Sequence, residues 1–98
     1  MPQLIVAAKA VRDIQKIRAF LAQFNVEAAQ KAASILMESG DLLLTHPLLG
    51  KTLEDMPDYR ELIRTFGAGS FTIRYRINGD TIVIVAVKHS KEKALYML

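Results

Sequence analysis

The sequence predicts an α+β fold, with a short N-terminal strand and a two-helix hairpin packed on a small antiparallel β-sheet in the order β-α-α-β-β-β. Two changes of period support this class. Apolar residues recur every three or four positions from Lys9 to about residue 45, and they alternate with a period of two after Pro57. The dipeptide Asn78-Gly79 then separates two such alternating runs, as in a hairpin. At 98 residues, we expect one domain over 1–98.

Composition excludes several classes of protein. The chain has no cysteine, so it has neither a disulfide framework nor a thiolate metal site. No signal peptide is recognisable, and the apolar stretch from Leu4 to Ala8 is too short to span a bilayer. Motifs for phosphate loops, dinucleotides, nucleophile elbows and zinc are absent from the sequence. We therefore expect a cytoplasmic protein that needs no cofactor, no metal and no membrane.

The N-terminal half predicts a strand followed by the helical hairpin. Leu4-Ile5-Val6 is a short β-branched run. Residues 9–45 form the hairpin, with a tight crossover at Asn25, which is a natural N-cap for a second helix starting at Val26-Glu27. Small residues line one side of that second helix, which favours a close approach of the two helices. The first helix has an apolar stripe of Val11, Ile14, Ile17, Leu21 and Phe24.

Two residues near the end of the second helix need interpretation. Gly40 costs about 1 kcal/mol relative to alanine in a helix interior, so it marks either a break or a close contact. The helix should end near His46, because Pro47 disfavours the helical conformation in the residue before it. No second histidine or carboxylate lies at a metal-binding spacing from His46, so we favour a capping or packing role.

The C-terminal part, from Arg60 to Glu92, predicts three consecutive strands. The alternation of the middle strand directs Phe71, Ile73, Tyr75 and Ile77 to one face. The last strand, Thr81 to Lys88, is apolar on both faces, which predicts a central position.

The positive charge is concentrated in this sheet. Residues 59–98 carry seven Lys or Arg against three Asp or Glu, whereas residues 1–58 carry six against seven. Alternation places Arg60 and Arg64 on one side of the first strand, and Arg74 and Arg76 on one side of the second. If these sides coincide, the sheet forms a cationic surface able to hold phosphodiesters or carboxylates. The other basic candidates lie at the end of the third strand: Lys88, His89, Lys91 and Lys93.

Catalysis on such a surface would need a general acid or base. The candidates near the basic residues are His89 and Tyr96. His89 at a strand end is equally well explained as a structural hydrogen-bonding residue. The basic sheet could also be no more than a solvated face.

The order of short motifs resembles the RelE/ParE superfamily of toxins from type II toxin–antitoxin modules, a group that includes plasmid stabilisation proteins. The motifs are His46-Pro47-x-x-Gly50, Pro57-x-x-Arg60-Glu61-Leu62, Tyr75-Arg76 and Val87-Lys88-His89-x-Lys91-Glu92. The resemblance implies a partner antitoxin that wraps the toxin's apolar grooves and basic sheet. It also implies one of two activities: RelE-like members cleave messenger RNA on the ribosome, and ParE-like members poison DNA gyrase.

The sequence departs from the ribonuclease pattern at two positions. Thr72 and Leu62 stand where the resemblance implies basic residues, while Arg60, Lys91 or Lys93, and Tyr96 match other positions. A ribonuclease would use Arg60, Arg74, His89, Lys91 and Tyr96. We favour a ParE-like protein that binds gyrase or antitoxin through Arg60, Arg64, Arg74, Arg76, Lys88, His89 and Lys91. The alternatives are the ribosome-dependent ribonuclease and a non-toxic binding module, and exposed apolar patches would also favour a homodimer of the isolated chain.

Overall fold

Two helices and five strands follow one another in a computed structural model that describes residues 1–67 and 69–90. The elements are β1 Gln3–Val6, α1 Ala8–Phe24, α2 Val26–Thr45, β2 Lys51–Thr52, β3 Tyr59–Phe66, β4 Gly69–Asn78 and β5 Thr81–His89. The predicted α+β class is confirmed. The two-residue strand β2 was not predicted from the sequence, because it is too short to show an alternating pattern.

The five strands form one sheet in the order β1-β5-β4-β3-β2. Strands β3, β4 and β5 form the predicted antiparallel arrangement, β2 pairs with β3 in antiparallel, and β1 pairs with β5 in parallel. The sheet is therefore mixed. Strand β5 lies between β1 and β4, which confirms its predicted central position.

The helical hairpin turns at Asn25, as predicted. The Asn25 side chain accepts hydrogen bonds from the backbone N–H groups of Glu27 at 2.9 Å and Ala28 at 3.3 Å. Its own N–H donates to the carbonyl of Leu21, so one residue ends α1 and begins α2. Helix α2 continues through Gly40, where an added Cβ would lie 2.8 Å from Leu4 Cδ2. Gly40 thus marks a close contact with β1 and not a break.

Both helices cover the same face of the sheet. The buried residues between them and the strands include Ala10, Ile17, Ala32, Leu43, Leu62, Phe71, Ile73, Tyr75, Ile82, Ile84 and Val87. We call this side of the sheet the helix face and the other side the open face. None of the helices in residues 1–67 and 69–90 is long and apolar enough to cross a membrane.

Helix α1 also closes part of one sheet edge. Strand β1 pairs with β5 only as far as Ile84, so the rest of β5 has no strand on that side in the described chain. Asp13 Oδ2 accepts the N–H of Val87 at 3.0 Å and the Lys9 ammonium at 2.8 Å. A carboxylate from the helix thereby replaces the missing strand at this residue.

Candidate functional site

The predicted basic residues of β3 and β4 lie on opposite faces of the sheet. Arg60 is paired with Tyr75 and Arg64 with Phe71, and both partners are fully buried on the helix face. Because directly paired residues project to the same face, Arg60 and Arg64 belong to the helix face. Arg74 is the neighbour of Tyr75 in β4, so its side chain projects to the opposite, open face. Arg60 and Arg64 therefore do not share a face with Arg74. The single cationic surface predicted from the sequence does not form.

Arg60 holds the loop that follows α2. Its guanidinium Nη1 donates to the carbonyl oxygens of Gly50 at 2.8 Å and Leu48 at 3.2 Å. We call residues 46–50 the HPxxG loop. His46 caps α2 through its backbone N–H, which donates to Leu42. This is the capping role that the sequence favoured over a metal ligand.

The Tyr75 side chain also holds the HPxxG loop in place. Its hydroxyl donates to the Pro47 carbonyl at 2.7 Å and accepts the N–H of Gly50 at 2.8 Å. An added Cβ at Gly50 would lie 2.6 Å from the Tyr75 ring, so glycine is required there. Burial raises the pKa of the Tyr75 hydroxyl above its ordinary value of 10.0, against the Gly50 hydrogen bond and the charge of Arg60.

Two further arginines are neutralised by carboxylates. Arg64 Nη2 lies 2.6 Å from Glu38 Oε1 on α2. On the open face, Arg74 donates through Nε at 3.0 Å and Nη2 at 2.8 Å to Glu61 Oε2, the residue paired with it across the strands. Each arginine therefore has an acidic partner and a fixed orientation.

Arg76 and Lys88 remain available on the open face. Arg76 pairs with Val83 and Tyr59, and Lys88 pairs with Thr72, all across neighbouring strands. Within the part of the chain that the structure describes, neither side chain makes an ion pair or hydrogen bond. Among the predicted arginine and lysine residues that the structure describes, these two are therefore free to contact an anionic partner.

His89 belongs to the helix face. It is 9% exposed, and its ring contacts Phe71 and Phe66 edge-on, at centroid distances of 5.2 and 6.0 Å. This environment separates it from Arg74 and Lys88 on the open face. The other predicted candidates, Lys91, Lys93 and Tyr96, lie outside the described residues. In residues 1–67 and 69–90, no group of three His, Asp or Glu could hold a metal ion.

An apolar cleft opens between the two helices and the sheet. It has a volume of about 240 Å³, and Arg18 supplies its one charged wall residue in the described chain. The apolar lining comes from Leu4, Val6, Ile14, Ala33, Leu36, Met37, Ile73, Ile84 and Val87. Met37 is 74% exposed at the rim. The resemblance implied apolar grooves for an antitoxin without giving their position.

Sequence reasoning missed the residues that organise these basic groups. Tyr75 was predicted to lie on one face of its strand but not to bind the loop, Gly50 appeared only as part of a motif, and Glu61 and Glu38 were not recognised as partners of the arginines. One signal was available. Arg60, Leu62 and Arg64 are two residues apart and point to the same face of β3, so a buried Leu62 places both arginines on the helix face.

The family model of the ParE toxin of type II toxin–antitoxin systems, parDE, matches residues 4–94. The chain belongs to the ParE toxin family. It is 30% identical to Toxin RelE3 of Caulobacter vibrioides over 93 residues, which cover 95% of this chain and 99% of that toxin. Toxin RelE1 of the same organism is 27% identical over 90 residues, covering 92% and 95%. This ParE-family chain is therefore a toxin of a type II toxin–antitoxin system within the ParE/RelE group.

A solved structure supports the same assignment. A chain of the chromosomal ParDE TA system from P. aeruginosa superposes with a TM-score of 0.70 and 25% identity. The match covers 90% of this chain and 95% of the other. The two chains therefore share a fold over nearly their whole length.

Proposed function

We propose that this ParE-family toxin acts by binding and poisoning DNA gyrase, without catalysing a reaction of its own, and that a cognate antitoxin neutralises it in the cytoplasm. The observation that carries the proposal is the division of the basic residues between two faces. Cleavage of a phosphodiester needs cations and a general acid or base around one scissile bond. Arg60 and Arg64 on the helix face cannot share such a bond with Arg74 on the open face.

The engagement of the arginines further supports a docking role. Arg60 is used to hold the HPxxG loop, and Arg64 and Arg74 are paired with carboxylates. Arginines occupied in this way fix the shape of the surface and supply little free charge for a transition state. Arg76 and Lys88 are the proposed contacts to the target on the open face.

The experiment is expression of the toxin without its antitoxin. Gyrase poisoning predicts growth arrest with filamentation and induction of the DNA-damage response, while translation continues at first. Co-expression of the antitoxin should restore growth. Arrest with immediate loss of protein synthesis and no DNA damage would contradict the proposal.

A ribosome-dependent ribonuclease is the second candidate, and it is favoured by the names of the similar toxins RelE3 and RelE1. This ribonuclease would use the predicted set Arg60, Arg74, His89, Lys91 and Tyr96, although Arg60 and His89 lie on the helix face and Arg74 lies on the open face. Its signature is messenger RNA cut within the ribosomal A site. If Arg60→Ala, Arg74→Ala and Tyr96→Phe all left toxicity unchanged, the ribonuclease candidate would be ruled out.

A further inference from the structure

Strand β1 forms one outer edge of the sheet, beside β5. The N–H groups of Gln3 and of Ala7, which directly follows the strand, donate to carbonyls of and next to β5 at 3.0 and 2.9 Å. Because the backbone groups of residues two apart in a strand point to the same side, those of Leu4 and Val6 point the other way. In the described part of the chain no strand lies on that outer side, so these N–H and C=O groups have no strand partner.

The side chains of this edge carry no charge. Leu4, Ile5 and Val6 are apolar, and Gln3 is neutral. Ile5 is paired with Val83 and is 49% exposed on the open face, while Val6 is 37% exposed on the helix face. Exposed sheet edges are commonly protected from pairing by lysines or inward-pointing charges, and β1 has neither. An apolar, uncharged edge of this kind favours pairing with another strand.

Two copies of β1 fit each other in one antiparallel register. A two-fold axis at Ile5 sets Leu4 of each copy opposite Val6 of the other, and each such pair exchanges both of its backbone hydrogen bonds. An axis at Leu4 would set Val6 opposite Pro2, which has no N–H. An axis at Val6 would set Leu4 opposite Ala8, which begins α1. The axis at Ile5 is therefore the register that uses every outward backbone group of β1.

The side chains also match in this register. Ile5 would lie directly opposite its own equivalent on the open face, as a close apolar pair. On the helix face, Leu4 would meet Val6 of the second copy beside the apolar cleft, which both residues line. The uncovered part of β3 offers no such match, because a pair centred there would set Arg64 opposite its own charge. A second copy of this chain is thus the occupant that suits β1.

We propose that two copies of the toxin associate through their β1 strands and join two five-stranded sheets into one continuous sheet. The two-fold axis stands perpendicular to the sheet, so the open faces of both copies lie on the same side, each with its Arg76 and Lys88. The interface is short, because β1 has four residues, and the dimer therefore dissociates on dilution. This pairing does not depend on which target the toxin has.

The first measurement is sedimentation equilibrium of the isolated toxin over a range of concentrations. The unchanged toxin should shift from monomer to dimer as its concentration rises towards about 1 mM. Ile5→Lys should weaken the dimer by about ten-fold or more, because it removes an apolar pair and sets like charges opposite each other. Ile63→Lys is the matched control, since Ile63 is an exposed isoleucine on the same face of the other edge, and this variant should dimerise normally. A monomer at every concentration, or equal weakening by both variants, would overturn the inference.

A charge exchange at the axis tests the register. Ile5→Glu should weaken self-association as Ile5→Lys does, because two glutamates then lie opposite each other. An equimolar mixture of the two variants should form a heterodimer, since lysine then faces glutamate across the axis and opposite charges in that position are stabilising. If the mixture stays monomeric while circular dichroism shows both variants folded, the pairing at Ile5 is wrong.

Amide hydrogen exchange of the unchanged toxin locates the contact without any substitution. The amides of Leu4 and Val6 should exchange fast in dilute toxin and slowly in concentrated toxin. The amide of Ile5 faces β5 and should be protected in both. Protection of Leu4 and Val6 that is independent of concentration would assign the edge to residues of the same chain. Protection that requires the antitoxin would assign it to that partner. Either result would overturn the inference.

Discussion

At the scale of single residues, Tyr75 and Arg60 determine the form of the loop that leaves α2. Tyr75 is fully buried and bridges Pro47 and Gly50, and Arg60 binds the carbonyls on either side of Leu49. These contacts hold the backbone while Leu49 remains 50% exposed. The polar side chains of two sheet residues therefore fix a loop whose own apolar side chains contribute little to the core.

Tyr75→Phe should destabilise the toxin by about 1–3 kcal/mol, because the N–H of Gly50 and the carbonyl of Pro47 lose their partner while the ring remains. Urea denaturation followed by circular dichroism measures this change. Tyr59→Phe is the matched control, since no hydrogen bond of the Tyr59 hydroxyl is seen in residues 1–67 and 69–90. A loss below about 0.5 kcal/mol for Tyr75→Phe would show that the bridge is dispensable.

The raised pKa of Tyr75 predicts a specific pH dependence. A hydroxyl whose pKa is higher in the folded state than its ordinary value of 10.0 favours folding while it is protonated. That contribution is complete below pH 10 and is lost as the pH rises from 10 towards the folded-state pKa. The stability difference between the unchanged toxin and Tyr75→Phe should therefore shrink above pH 10. A stability difference between the two proteins that stays constant or grows above pH 10 would contradict the predicted direction.

At the scale of elements, the two edges of the sheet are covered in different ways. Helix α1 protects the end of β5 through Asp13, and β2 protects two residues of β3. Residues 62–66 are the part of β3 that β2 leaves uncovered. An edge with unpaired backbone groups favours strand addition by another chain.

Asp13→Ala should destabilise the toxin by about 1–3 kcal/mol, because the N–H of Val87 loses its acceptor and Lys9 loses its ion pair. Asp55→Ala is the control, since Asp55 lies exposed in the loop before β3. Thermal unfolding of both variants checks the prediction. Equal midpoints would mean that water replaces the carboxylate at the edge of β5 without loss.

The sequence predicted the elements well but not the relation between strands. The cap at Asn25 and the alternation of β4 are local features, and the structure confirms them. The face of an arginine depends on which side of its strand is buried, and β3 has apolar residues on both sides. Leu62 is 8% exposed and Ile63 is 67% exposed, a difference that arises from packing against α2 and not from residue type.

The parallel pairing of β1 with β5 was also beyond sequence reasoning. The two strands are separated by more than 70 residues, and a four-residue strand carries no information on its partner. The site residues depend on the same long-range pairings, since Arg74 meets Glu61 only through the register of β3 and β4.

At the scale of the whole molecule, the positive charge is divided between two surfaces with different uses. The helix face uses Arg60 and Arg64 internally, while the open face presents Arg76 and Lys88. The apolar cleft lies on the helix face, away from that open face. A toxin built in this way can offer one surface to a target and others to an antitoxin.

The most direct test is a cleavage and supercoiling assay with purified DNA gyrase. The toxin should cause gyrase-dependent accumulation of cleaved DNA and loss of supercoiling. The double variant Arg76→Ala, Lys88→Ala should reduce both by about ten-fold or more through loss of two charged contacts, whereas Lys51→Ala should leave them unchanged. Intact DNA and normal supercoiling in the presence of the unchanged toxin, with messenger RNA cut on ribosomes, would contradict the account.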